Sequence, residues 1–81
     1  MKKRLENVER VNAKVLRITK ELEAAGYVIH HTAWAGGYLH RKESSITAHS
    51  YESREFSGIA VEVPSFSSSR YHNRIYFVKN S

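Results

Sequence analysis

One change of hydrophobic period, at Gly26, limits what this chain can fold into more than any other feature. Before it, Val8, Val11, Val15, Ile18, Leu22 and Ala25 recur in steps of three and four residues, with Leu5 and Leu16 beside them. That spacing predicts a single helix over 4–25 with one apolar stripe. Gly26 sits where a left-handed cap would end it. After Gly26 the period is two. "YVIHHTAW" (27–34), "SSITAHSY" (44–51), "GIAVEVP" (58–64) and "RYHNRIYFVK" (70–79) are rich in β-branched and aromatic residues. Each reads as a strand. Gly36-Gly37 is a hairpin signal, and "YLHRK" (38–42) can return antiparallel. A second hairpin is expected over 57–79.

The expected architecture is therefore one α+β domain spanning 1–81. It has an N-terminal helix on one face of an antiparallel sheet of about four strands, in the order α-β-β-β-β. The helical stripe also fits a coiled-coil seam, but it spans only about three heptads. A lone helix must cover one sheet face to make a core, which leaves the other face for water or a partner. Within "GIAVEVP", Ile59, Val61 and Val63 point one way and Ala60 and Glu62 the other. Ile46 and Ala48 alternate with Thr47, His49 and Tyr51.

Charge narrows the partners. The 81 residues carry a net charge of +5 at pH 7. That field favours polyanions such as RNA or DNA, although a basic surface also simply keeps a small protein soluble. There is no cysteine, which fits the cytoplasm and removes thiolate metal sites. The basic start, "MKKRLENVERVN", runs into charged sequence rather than an apolar stretch. It is not a secretory signal, and no run reaches membrane-spanning length.

Three clusters are candidate sites. In the last strand, His72, Arg74 and Tyr76 alternate onto one face, with Arg70 just before them. Guanidinium groups bind phosphate and flat rings stack on unpaired bases, so this row suits a nucleic acid. On the helix, Arg10, Lys14 and Arg17 form a basic row away from the apolar stripe. Such a row can track phosphates or merely face solvent. At the glycine turn, His40, Arg41 and Lys42 could hold a phosphate, with His40 as acid or base. The histidines make no metal set. His30 and His31 are neighbours in a strand and should point to opposite faces. No cofactor motif and no nucleophile elbow is present, and the chain has no aspartate.

"ELEAAGYVI", then a Gly turn followed by His in "GGYLHR", then "IAVEVP" together look something like the HicA family. Those are small messenger-RNA-cleaving toxins with a double-stranded-RNA-binding-like fold. The resemblance implies a ribonuclease with His40 as the catalytic position. This chain lacks the family's Gly-Ser-His-His order and closes on a strand-like tail instead of a helix. The leading expectation is a small non-enzymatic nucleic-acid-binding module. The alternatives are that ribonuclease and a protein-binding inhibitor encoded by a mobile element such as a phage. Self-association through the last strand or the helix seam would give a homodimer.

Overall fold

The computed structural model describes residues 2–37, 39, 43–65 and 70–80, and the side chains from residue 8 onward. Helix α1 (Lys2–Ala24) leads into four strands, β1 (Tyr27–Gly36), β2 (Ala48–Glu52), β3 (Ser57–Val63) and β4 (Tyr71–Lys79). They form one antiparallel sheet in the order β1-β4-β3-β2. The α+β arrangement read from the change of period is thus the observed one.

The apolar stripe of α1 does what its spacing implies. Val11 is buried against Val61 and Phe77, and Val15, Ile18 and Leu22 pack around them with Ile59, Val63, Ile75 and Tyr27. Ile46 joins this core from just beyond a single 3-10 turn at Glu43–Ser45. The helix therefore lies over β3 and β4. Leu16, expected to widen the stripe, is instead 55% exposed. It sits about 120° around the helix from the centre of the buried row, too far to reach the sheet.

The helix ends as anticipated. Gly26 has φ of +94°, a conformation a side chain resists. Gly26 N–H donates to the Glu23 carbonyl at 3.0 Å. The end of β4 fastens the same corner. Lys79 Nζ donates to the Ala25 carbonyl at 2.7 Å, and Asn80 N–H to the Gly26 carbonyl at 2.7 Å. A cation at a helix C-terminus also complements the helix dipole.

The hairpin over 57–79 forms, as β3 against β4. β1 runs its whole length along β4, which carries Phe77 and Ile75 of the apolar core. Of the return strand expected over 38–42, Leu39 has no regular structure and the other positions lie outside the described residues. The last strand is therefore an interior strand, and among the described strands the edge positions belong to β1 and β2. This removes the last strand as a route to self-association.

Candidate functional site: the uncovered face of the sheet

Among the described residues no helix covers the second face of the sheet. The alternation in β3 and β4 places Ala60, Glu62, His72, Arg74 and Tyr76 there, and β2 adds His49 and Tyr51. The face has two halves of different chemistry.

The first half is centred on Glu62, which is only 7% exposed. Arg74 Nε donates to both carboxylate oxygens, at 2.6 and 3.0 Å. His72 Nε2 lies 2.7 Å from Oε2, and His49 Nε2 lies 3.3 Å from Oε1. The register makes this inevitable, because Glu62 sits directly opposite Arg74. Burial by itself would push the Glu62 carboxyl up. The hydrogen bond from Arg74, then that from His49, then the Arg74 charge, outweigh it and hold the carboxyl below the usual range. For Arg74, burial opposes the charge, but the Tyr76 hydroxyl and Glu62 keep it above its ordinary value. Arg74 is further committed: its Nη1 donates to Tyr76 Oη at 3.1 Å, and its guanidinium lies 5.1 Å from the Tyr51 ring centre.

The second half is a cluster of rings, and its origin is a bulge. Ile29 pairs with Phe77 but His31, not His30, pairs with Tyr76, so β1 holds one extra residue. This overturns the expectation that His30 and His31 point to opposite faces. Their Nδ1 atoms are 2.6 Å apart. His31 lies flat on Tyr76, with centroids 4.4 Å apart and planes at 17°. Phe56 meets both histidines and Tyr76 edge-on, and Tyr51 meets Tyr76 at 5.4 Å. Phe56 is aimed by its turn, in which Ser53 Oγ accepts the Phe56 N–H at 3.1 Å and Ser53 N–H donates to the Phe56 carbonyl at 2.7 Å. Gly58 makes room for it. A Cβ there would fall 2.1 Å from the Phe77 carbonyl and 3.0 Å from the Phe56 ring. A concavity of about 250 Å³ remains between His30, His31, Tyr51, Ser53, Glu55, Phe56 and Tyr76.

The residues singled out from sequence fare differently. Tyr76 does belong to the ring cluster. His72 does not offer its ring to a ligand, because it is 7% exposed and held by Glu62. Nor is Arg74 an open phosphate ligand, for its side chain is 20% exposed and ion-paired. Both were expected outward, and they do lie on the outward face, but a buried carboxylate claims them. Arg70 is exposed immediately before β4. His40, Arg41 and Lys42 lie outside the described residues. Arg10 and Arg17 are exposed and Lys14 half-buried on α1, with Arg17 Nη2 3.9 Å from Glu43. The helix row and the β4 row therefore sit on opposite layers and make no continuous strip. Sequence reasoning missed His30, His31 and Phe56. Glu62 was legible as the lone carboxylate of an apolar strand, turned with Ala60 away from Ile59, Val61 and Val63, but not as the partner of Arg74 and His72.

Among the described residues no three His, Asp or Glu side chains are placed to hold a metal ion, and no helix is long and apolar enough to cross a membrane. No protein-family model matches the chain, and no curated protein or solved structure is significantly similar to it. The resemblance to the HicA toxins gains no support from these comparisons.

Proposed function

We propose that the chain is a small, non-enzymatic nucleic-acid-binding module that takes unpaired bases on the ring half of its uncovered sheet face. One observation carries this reading: His31 is exposed and already stacked on Tyr76, inside a cluster of five rings that no described helix covers. Aromatic platforms of this kind bind single strands because every base has a π-face. The net charge of +5 supplies the long-range attraction. Arg54 stands exposed in the turn whose neighbours Ser53, Glu55 and Phe56 line the concavity, which makes it a candidate for a phosphate. Arg74 and His72 become supports of the platform rather than contacts. The helix row would meet a different part of a long strand, not the same bases. The separation of the two basic rows also favours single strands over a duplex groove.

Fluorescence anisotropy with short single- and double-stranded RNA and DNA tests the proposal. The single strand should bind best, and affinity should fall steeply between about 50 and 200 mM salt. His31→Ala should weaken it about tenfold or more, the usual effect of losing one stacked base. No binding at low salt, or equal affinity for His31→Ala, would reject it. Cleavage of the RNA that persists in chelator would point instead to the ribonuclease.

A further inference from the structure

Among the described strands, none pairs with the outer edge of β1, and the main chain shows which of its groups turn that way. Gly37 N–H donates to the Arg70 carbonyl at 3.1 Å. Antiparallel partners alternate between hydrogen-bonded and non-bonded pairs. In the register of β1 on β4, Ala35/His72 and Ala33/Arg74 are then bonded pairs, whereas Gly36/Tyr71, Trp34/Asn73 and Thr32/Ile75 are not. Thr32, Trp34 and Gly36 therefore turn their N–H and C=O groups away from β4. No other described strand lies there.

The side chains on this edge fit a second copy of the same strand. Trp34 is 67% exposed and Tyr71, diagonal to it on the helix side, is 53% exposed, because α1 lies over β3 and β4 and leaves this margin bare. Edge strands are normally guarded by Lys or Pro. β1 has neither, and it is the only regular element described here without Lys, Arg, Asp or Glu. In a chain of net charge +5, it is thus the one element that can meet its own copy without opposing like charges. The bulge at His30 breaks the flat run on one side, which confines pairing to 32–36.

We infer that β1 pairs antiparallel with β1 of a second copy along 32–36, with the two-fold axis at Trp34. Trp34 then faces its own counterpart, Thr32 faces Gly36, and Ala33 faces Ala35 on the other side of the sheet. Each of the three outward-facing pairs exchanges both main-chain hydrogen bonds, and the contact is closed and isologous. The short run makes a weak dimer. It joins two sheets edge to edge and leaves both ring clusters uncovered. The inference is independent of nucleic-acid binding and is tested without nucleic acid.

Sedimentation of nuclease-treated protein from micromolar to millimolar concentration should show the mass rising from 9.3 kDa toward twice that value. Emission of Trp34, the only tryptophan, should shift blue in step. Trp34→Lys places like charges across the axis. Thr32→Pro removes an outward N–H and leaves the bonds to β4 intact. Each should weaken the dimer about tenfold or more, given the usual weight of a central Trp and its ladder, with the far-UV circular dichroism melt unchanged. If Thr32→Pro unfolds, Trp34→Lys decides alone. A monomer at millimolar concentration, or a dimer indifferent to Trp34→Lys, would overturn the inference.

Discussion

The two faces of this sheet are made from alternate residues of the same strands, yet they are held by different forces. On the covered face Val61 and Phe77 are almost fully buried beneath α1 with Val11. Stability there comes from apolar area removed from water, which carries no titrating group and is not screened by moderate salt. On the other face Glu62 and His72 are buried and Arg74 half-buried, joined by hydrogen bonds to the one carboxylate, while His72 Nδ1 has no partner. A polar cluster of this kind contributes little net stability when complete and costs a great deal when one member is lost. The contrast teaches that low exposure does not mark a core. It marks a hydrophobic core on one face and a carboxylate-centred polar cluster on the other.

Four substitutions sharpen or break that contrast. Phe77→Ala should cost about 3–5 kcal/mol, enough to unfold much of a domain this small, and equally at all salt concentrations. Thermal melts at two ionic strengths check it. Glu62→Gln should cost about 3 kcal/mol at neutral pH, because Arg74 loses its counter-charge on a face where it is mostly buried. The pH dependence separates the two faces. The folded-state value of Glu62 is depressed, so its contribution is present above the ordinary Glu value of about 4.3 and is lost as the pH falls through the folded value. Wild type, and the milder Phe77→Leu, should both show that acid-dependent loss in denaturant titrations, and Glu62→Gln should lack it. If Glu62→Gln keeps the loss, the network is not what the acid transition reads.

Gly26→Ala should cost about 1–2 kcal/mol through left-handed strain, with no effect on either face. Hydrogen exchange concentrated at the helix end and the last residues of β4 would confirm it. The smallest stability change belongs to His31→Ala. Its exposed ring gives up one stacking contact, worth about 0.5–1.5 kcal/mol, while oligonucleotide affinity drops as described above. A large stability loss with unchanged affinity would make the ring cluster a structural feature rather than a binding surface.

Much of this was legible before any coordinates. The stripe on α1, its end at Gly26, and the inward set Ile59, Val61 and Val63 follow from periodicity, because side chains at helical or strand spacing have no choice of face. The alternation that brings His49, Tyr51, Arg74 and Tyr76 together was readable for the same reason. The character of that face was not. Periodicity says which way Arg74 points but not that Glu62 stands opposite it, since register between strands is set by long-range pairing. The bulge in β1 was equally hidden. "YVIHHTAW" carries no glycine or proline to announce it, and it moves His30 onto the same side as His31.

By itself, then, the sequence determined the fold class, the buried stripe, the capped helix and the positive charge, all of which follow from local spacing and composition. Only the tertiary structure decided that the final strand lies inside the sheet, that Arg74 and His72 answer to Glu62, and that the bulged histidines complete the ring cluster. Those outcomes depend on which residues of distant strands lie opposite one another. No local pattern encodes that, because it is settled by the closing of one apolar core around Phe77.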